Sequence, residues 1–305
     1  MEPRKREFKK VGNYVYDPNG EMLGEGGFGS VYKGVVYTNK SNKVAIKIIT
    51  KSTIEKHQDM VKIFKREIET LKKIKGKHLL EYIDSFDTKE GNLFIITKFY
   101  KDGNLSDYIK NSEGKKLPLG KALKILKLIA KTFVGLDELD LRNEDGEKAT
   151  ILHRDLKPVN ILMEGDEPVI ADFGLAKLIP AEMKEEAAGH TRGLLGTEGY
   201  ASPQVLAQSK YSYKCDVWSM GIVTYEMIYG VRPWKGDLAY PLLDVIETKP
   251  LIFPEEPEVP TDVTDLIKGM LEIEESARYD WKKIVEVLEN KPLEDKEKDK
   301  ITLEK

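Results

Sequence analysis

Hydrophobic and polar residues alternate along the first third of the chain, from residue 14 to residue 97. A two-residue period is typical of strands that bury one face. Breaks rich in Gly, Asn and Lys divide the pattern into predicted strands at 31–37, at 43–50 and, as a second pair, within 80–100. This part of the chain is therefore predicted to form an antiparallel sheet.

A different period interrupts the strands between residues 60 and 76. Apolar side chains recur here at steps of three and four residues, which predicts one amphipathic helix. Gly76 is the predicted end of this helix, because glycine readily adopts the backbone geometry found just beyond a helix.

Beyond Gly103 the pattern becomes helical and strongly apolar. Long helices are predicted at 121–139, 215–230, 261–273 and 280–290. The chain thus divides into a β-rich lobe with one helix and a mainly helical lobe, an α+β arrangement. The final residues, 291–305, form a run of charges and predict a poorly ordered tail.

Composition narrows the class of protein. The chain has 305 residues, 40% of them hydrophobic and 33% charged, and a formal net charge of -3. A phosphate-backbone binder would be strongly basic, so nucleic acid is not an expected partner. No run of about 18 apolar residues occurs, which argues against a membrane span. Cys215 is the only cysteine and the start lacks a secretory signal, so a cytoplasmic location is expected, with the nucleus as alternative.

Candidate chemistry begins with a glycine-rich segment in the predicted sheet. Residues 23–31 read LGEGGFGSV, with Gly24, Gly26 and Gly29 at a spacing that lets backbone approach phosphate oxygens. A strand follows this segment, which suits a flap between two strands. A dinucleotide-binding oxidoreductase would have a helix at this point, so that class is disfavoured.

Lys47 is the second candidate, because it lies inside the apolar strand 43–50. A buried ammonium group is costly unless a carboxylate pairs with it. Glu67, on the predicted helix, is the preferred partner. Glu69 is the alternative, but it points to a different face of that helix.

Two motifs in the second lobe are the most specific. Residues 153–160 read HRDLKPVN and residues 171–174 read ADFG. Together they resemble the eukaryotic protein kinase family, and Lys157 is the mark of its Ser/Thr branch. The resemblance implies the two-lobed kinase fold over about 14–290, with an N-lobe at 14–98 and a C-lobe at 102–290.

The resemblance also implies which residues carry the chemistry. Asp155 would accept the proton of the substrate hydroxyl and orient its oxygen at the γ-phosphorus of ATP. Lys157 would steady the γ-phosphate beside Asp155. Lys47, positioned by Glu67, would contact the α- and β-phosphates.

Mg²⁺ and ATP are the implied cofactors. Asn160 and Asp172 would hold Mg²⁺ through hard oxygen ligands. The implied contacts with ATP come from the glycine-rich flap, the walls of the adenine pocket and the hinge between the lobes, namely Leu23, Gly24, Gly26, Gly29, Val31, Ala45, Lys47, Thr97, Lys98, Tyr100 and Leu162.

The implied partners are ATP and a protein substrate, with control through the loop 172–204. An upstream kinase or the chain itself would phosphorylate this loop. Thr191 is the preferred phosphorylation site and Thr197 the next. The hydroxyl of Thr197 is also expected to bridge Asp155 and Lys157, which would give it a structural role instead.

The sequence departs from the family at three places. Gln204 stands where the family has a glutamate that pairs with Arg278, so looser anchoring of the loop is expected. Lys98 replaces an acid in the hinge, where backbone groups bind adenine and a small effect is expected. The link 141–151 is longer than usual and is predicted to be a polar surface excursion.

Two further hypotheses concern the class of kinase. Residues 216–234, DVWSMGIVTYEMIYGVRPW, are similar to calcium/calmodulin-dependent and autophagy-initiating kinases. The alternative to an active enzyme is a pseudokinase scaffold that binds partners without catalysis. The complete set of catalytic residue types favours the enzyme.

Overall fold

The structure, a computed structural model, describes residues 7–26, 29–57, 59–143, 145–180, 185–186, 197–234 and 239–290. Strands β1 to β13 are Lys9–Val11, Tyr14–Tyr16, Met22–Gly26, Gly29–Val36, Asn39–Ile49, Tyr82–Asp87, Leu93–Lys98, Ala149–Leu152, Ile161–Glu164, Glu167–Ile170, Lys177–Pro180, Glu185–Glu186 and Tyr211–Ser212. Helices α1 to α9 are Lys51–Lys56, Met60–Lys73, Leu105–Asn111, Leu119–Glu138, Pro203–Leu206, Lys214–Tyr229, Ala239–Thr248, Thr261–Met270 and Trp281–Glu289.

Within the described residues, seven strands form one antiparallel sheet in the order β1-β2-β4-β5-β7-β6, with β3 paired to β4. The alternation that predicted β4 to β7 has a physical basis in β5. Val44, Ile46 and Ile48 face one hydrophobic cluster, whereas Ile49 joins the main core on the other side. Lys47 therefore lies on the face of the sheet that is turned towards the rest of the molecule.

The prediction of one helix in the β-rich lobe was incomplete, because α1 precedes α2. Helix α1 is short and has no buried residue; the hydroxyl of Thr50 caps it by accepting a hydrogen bond from the backbone N–H of Thr53. Helix α2 ends at Lys73 instead of Gly76. Ile74 is extended and buried in the core, so the chain leaves the helix there.

The second part of the chain is mainly helical, as predicted. Helix α6 lies at its centre and is buried nearly all round; the side chain of Trp218 is fully enclosed and stacks on Trp234 at 5.6 Å. Helix α4 packs beside it and against α9, where Phe133 stacks on Trp281 at 4.5 Å. This packed helical core lies beneath the loop that follows β8, to which α6 is bonded through Asp216.

The link 141–151 is only partly the surface excursion that was predicted. Its first residues form a polar turn in which the Arg142 guanidinium donates to the Gly146 carbonyl. Its last residues belong to β8, which is buried and pairs with β11, and Thr150 donates a hydrogen bond to Asp137. Strand β8 is buried because its residues are mainly apolar, although it follows a charged stretch of the sequence.

The two-lobed α+β fold is thus confirmed. None of the described helices is both long and apolar enough to cross a membrane. The predicted tail at 291–305 lies outside the described residues. The domain limits 14–290, 14–98 and 102–290 stay predictions, and the main sheet itself begins at Lys9.

Candidate active site

The ion pair between Lys47 and Glu67 links the sheet to helix α2. Lys47 Nζ lies 2.8 Å from Glu67 Oε2 and 3.0 Å from Oε1, and the Glu67 side chain is 3% exposed. Glu69 is exposed and has no such contact with Lys47. Of the two partners considered from the sequence, the structure thus pairs Lys47 with Glu67.

Asp172 extends this pair into a line of three charges. Its Oδ1 lies 3.2 Å from Lys47 Nζ. Burial alone would raise the pKa of the Asp172 carboxyl, but the Lys47 cation outweighs burial and holds this pKa below its ordinary value. Burial likewise acts to lower the pKa of Lys47, yet the Glu67 and Asp172 carboxylates raise it above its usual range. Both groups are therefore charged at neutral pH.

A buried carboxylate beneath the loop after β8 fixes the backbone of that loop. Asp216, at the start of α6, accepts hydrogen bonds from the backbone N–H groups of His153 at 2.7 Å and Arg154 at 2.8 Å. The His153 ring donates through Nε2 to the Ala171 carbonyl at 2.9 Å. Asp216 is 1% exposed, and burial raises the pKa of its carboxyl despite these donors.

Asp155 receives hydrogen bonds on both carboxylate oxygens. Thr197 donates to Oδ1 at 3.0 Å, while Asn160 Nδ2 and Lys157 Nζ lie 2.8 Å and 2.9 Å from Oδ2. Lys157 Nζ also donates to the Thr197 hydroxyl at 2.5 Å. The bridge expected from the sequence is therefore present, and it holds the Asp155 carboxylate in one orientation.

The two backbone segments that carry these groups are directly bonded to each other. The Ala171 N–H donates to the Asn160 carbonyl at 2.9 Å, which sets Asp172 beside the Asp155 loop. Asp172 has φ 59° and Arg154 has φ 67°, a left-handed conformation that is uncommon for residues other than glycine. Such conformations persist where the surroundings over-determine them, commonly at functional sites.

Asn160 and Asp172 have the donor atoms that a hard cation needs. The amide NH₂ of Asn160 donates to the carbonyl and to the carboxylate of Asp155. Its amide oxygen is then the atom suited to a cation, and Asp172 offers a carboxylate that accepts only. Mg²⁺ is usually bound by one or two protein oxygens and completed by phosphate and water, so these residues fit it.

The residues predicted to contact ATP share one face of the sheet. Strand register sets Val31 opposite Lys47 and Ala45 opposite Thr97, and directly opposite residues point to the same side. Because Ala45 and Lys47 are two residues apart, all four lie on the face that carries the ion pair. Sheet geometry therefore brings together side chains that are far apart in the sequence.

The described residues of the glycine-rich segment belong to β3 and to the start of β4. Gly29 has φ 119°, and a Cβ there would collide with the carbonyl oxygen of Ile48. Gly24 pairs with Val31 and Gly26 with Gly29, and Leu23 lies in the same strand, half-buried. The residues between β3 and β4 lie outside the described part of the chain.

The predicted hinge follows β7. Lys98 Nζ lies 3.0 Å from Glu164 Oε2, with both side chains well exposed, so its charge is paired at the surface. Tyr100 is buried in the core, and Leu162 packs against the same core from β9. These positions border the first helix of the C-lobe, α3, and its N-cap residue, Asn104, forms a β-bridge with Leu162.

Gln204 and Arg278 are in contact despite the missing acid. Arg278 Nη2 donates to the neutral Gln204 Oε1 at 2.8 Å, so the contact expected from the sequence is a hydrogen bond and not an ion pair. Sequence reasoning missed Glu275, whose carboxylate lies 3.5 Å from Arg278 Nη1. Three nearby acids, Glu272, Glu274 and Glu275, look alike in the sequence, and only the folded loop distinguishes them.

The chain matches one family of proteins over most of its length. The family described as "Protein kinase domain" matches residues 18–288. A probable serine/threonine-protein kinase of Dictyostelium discoideum is 32% identical over 282 residues, which cover 92% of this chain and 31% of that protein. The Dictyostelium serine/threonine-protein kinase atg1 is 30% identical over 90% of this chain and 38% of its own length.

Another relative is matched over most of both chains. Myosin light chain kinase A of Dictyostelium discoideum is 32% identical over 268 residues, covering 85% of this chain and 82% of that protein. The first two relatives are much longer, since the chain spans about a third of their length. The similarity thus concerns one domain shared by all three.

Proposed function

This chain belongs to the protein kinase family, in its Ser/Thr branch, and we propose that it transfers the γ-phosphoryl group of Mg²⁺·ATP to serine and threonine hydroxyls of proteins. The observation that supports this most directly is the hydrogen bond between Ala171 and Asn160. It brings the Asp155 group and the line of charges at Asp172 to one place. Phosphoryl transfer needs this combination of an oriented base with positive charge and metal ligands.

Asp155 is proposed to orient the acceptor hydroxyl and to take its proton. Its carboxylate is fixed by Thr197 and Asn160, so little reorganisation is needed when a hydroxyl arrives. Lys157, 2.9 Å from Asp155, is proposed to steady the transferred phosphoryl group. Asp155 would thus act on the attacking oxygen, and Lys157 would offset the charge that moves with the phosphoryl group.

When bound, Mg²⁺·ATP supplies the phosphoryl group and a cation that offsets its charge. Asn160 and Asp172 are proposed to hold this cation through oxygen atoms. Lys47, kept charged and in place by Glu67, is proposed to bind the α- and β-phosphates. The flap and the sheet face are proposed to enclose the nucleotide through Leu23, Gly24, Gly26, Gly29, Val31, Ala45, Thr97, Lys98, Tyr100 and Leu162.

Regulation is proposed to act through phosphorylation at Thr191, by the chain itself or by an upstream kinase. Thr191 lies outside the described residues. The alternative site, Thr197, uses its hydroxyl in the bridge between Asp155 and Lys157, and phosphorylation would break that bridge. A cytoplasmic location, with the nucleus as alternative, stays a prediction.

The proposed function is tested by comparing matched aspartate variants in a transfer assay. The purified chain, Asp155→Asn and Asp140→Asn are each incubated with γ-labelled ATP, Mg²⁺ and a general protein acceptor. Asp140 is an exposed aspartate just after helix α4 and serves as control. Label should enter the acceptor with the wild type and Asp140→Asn and fall by roughly 10²- to 10⁴-fold with Asp155→Asn. Equal labelling by all three would refute the proposal.

A further inference from the structure

Arg278 is a buried cation whose expected carboxylate partner is absent at position 204. Its side chain is 0% exposed. Burial lowers the pKa of Arg278 to about 10, so it is still charged at neutral pH. A buried charge is tolerated where an opposite charge and hydrogen bonds compensate for lost water. Gln204 supplies a hydrogen bond but no charge.

Glu275 supplies the missing charge from the same loop as Arg278. Its Oε1 lies 3.5 Å from Arg278 Nη1, and its side chain is 16% exposed. Both carboxylate oxygens accept the backbone N–H of Ser212, at 3.2 Å and 3.0 Å. Glu274, by contrast, is exposed and accepts from Ser276. Of the two adjacent acids, Glu275 is the one that faces Arg278.

Arg278 and Lys214 hold each other's backbone, an arrangement we call the clasp. Arg278 Nη1 donates to the Lys214 carbonyl at 3.2 Å. In return, Lys214 Nζ donates to the carbonyls of Glu275, Ser276 and Arg278, at 3.1 Å, 3.3 Å and 2.7 Å. The guanidinium also lies 5.1 Å from the ring of Trp218. The clasp therefore fastens the loop 275–278 to the start of α6.

The clasp is connected to the active site in two ways. Lys214 begins α6, and two residues later Asp216 holds the backbone of His153 and Arg154, next to Asp155. Ser212, bound by Glu275, belongs to β13, which pairs with β12 at 185–186 in the loop after Asp172. A shift at Glu275 would therefore reach both the catalytic loop and the activation loop.

We propose that Glu275 is a positioning residue for phosphoryl transfer, which supplies the charge that Gln204 lacks and so holds the start of α6 and β13 in place. This inference rests on the proposed kinase function. In this proposal Glu275 acts through Arg278, Lys214 and Asp216 and not by direct contact with a substrate. The charge of Glu275 explains how the chain keeps Arg278 buried although position 204 is neutral.

The test is a charge exchange between the two positions. Glu275→Gln removes the charge, Gln204→Glu adds a carboxylate beside Arg278 Nη2, and the double variant moves the charge from one position to the other. Glu274→Gln is the matched control. For each protein, kcat, the KM for ATP, the KM for an acceptor peptide and the unfolding temperature are measured.

Glu275→Gln should lower kcat by about tenfold, the effect of one lost charge-assisted contact, while the KM for ATP changes by less than about twofold. The double variant should recover to within about threefold of the wild type, because the two sites are coupled and not additive. Glu274→Gln should match the wild type. If Glu275→Gln cannot be folded alone, recovery of a folded, active double variant gives the same support.

Two results would overturn the inference. One is a lower unfolding temperature for Glu275→Gln with an unchanged kcat per folded molecule, which indicates a structural role alone. The other is a double variant as impaired as Glu275→Gln, or unfolded. If the wild type itself transfers no phosphate, the proposed kinase function fails first, so the wild-type assay separates the two failures.

Discussion

Lys47 Nζ lies 2.8 Å from Glu67 Oε2, and this ion pair joins strand β5 to helix α2. The pair is nearly enclosed, yet Lys47 also reaches Asp172, whose carboxylate is proposed to bind Mg²⁺. The position of α2 therefore determines whether Lys47, which is proposed to bind ATP, lies beside Asp172, which is proposed to bind Mg²⁺. A movement of α2 that separated Glu67 from Lys47 would release both.

Replacing Lys47 with methionine should destabilise the chain in a manner that depends on pH. In the wild type the pKa of Asp172 lies below its ordinary value of 3.8. Its contribution to stability is thus fully present above about pH 4 and is lost as the pH falls through the lowered value. Without the cation, burial raises the pKa of Asp172, so the folded variant takes up a proton as the pH falls.

The free energy of unfolding of Lys47→Met should therefore lie furthest below that of the wild type near neutral pH, by roughly 3–5 kcal/mol. The gap should narrow towards about pH 4 as the carboxylates are protonated. Urea unfolding at a series of pH values measures this difference in the free energy of unfolding. Lys43→Met, which replaces an exposed lysine of β5, is the control. A gap that is constant across pH, or equal to that of Lys43→Met, would contradict the ion-pair account.

The hydroxyl of Thr197 should be needed for catalysis although it does not react. Thr197→Val keeps the shape of the side chain but leaves Asp155 and Lys157 without their bridge. We expect kcat to fall by roughly 10- to 100-fold, since a hydrogen bond to a charged group contributes about 1.5–3 kcal/mol. Thr197→Ser retains the hydroxyl and should stay within about threefold of the wild type. Equal kcat values for the two variants would show that the bridge does not matter.

Asp216 should contribute to stability and activity together. Asp216→Asn replaces one acceptor oxygen with an NH₂ group that faces a backbone N–H of the catalytic loop. We expect the free energy of unfolding to fall by about 1–3 kcal/mol, the cost of a buried unsatisfied donor. Chemical denaturation measures this, with the exposed Asp265→Asn as control. An unchanged stability and kcat in Asp216→Asn would remove Asp216 from the account of how the loop is held.

Lys98 should matter little for ATP binding despite its place in the hinge. Its ion pair with Glu164 joins two well-exposed side chains, and such pairs contribute only about 0–1 kcal/mol. Lys98→Ala should therefore change the KM for ATP by less than about twofold. Steady-state kinetics over a range of ATP concentrations measures this. A tenfold rise in that KM would mean that the lysine itself binds the nucleotide.

Much of the fold could be predicted because periodic burial leaves a periodic sequence. The two-residue alternation of β5 reflects Val44, Ile46 and Ile48 in one cluster, and the apolar steps in α2 reflect Phe64 and Leu71 in another. Helix α1 left no such trace, since it has no fully buried residue and only Ile54 packs, half-buried, against the core; the Thr50 side chain caps it. Where a helix buries so little, the hydrophobic pattern cannot reveal it.

The sequence also did not predict which short segments, far apart in the chain, pair with each other. Strands β12 and β13 are two residues each, and β8 pairs with β11 beyond the whole catalytic loop. The local sequence of such a strand does not specify its partner, because each of the two strands depends on packing against the other. Glu275 was missed for the same reason, as its role depends on an arginine enclosed by α6.

The residues of the candidate site were easier to predict from the sequence than the residues that hold them in place. Motif residues such as Asp155 and Asn160 must be of one type to perform their chemistry, so their identities and spacing carry information. The residues that hold them, such as Glu275, need only present a charge in the right direction. Many sequences satisfy that need, which is why the folded loop was required to find it.

The central claim is most directly tested by mass spectrometry of acceptor peptides that differ only in one residue, Ser, Thr, Tyr or Ala. Each peptide is incubated with ATP and Mg²⁺ together with the wild type or with Asp155→Asn. The account predicts the addition of one phosphate to the Ser and Thr peptides, only with the wild type and only when Mg²⁺ is present. Unmodified Ser and Thr peptides with the wild type, or equal modification by Asp155→Asn, would contradict it.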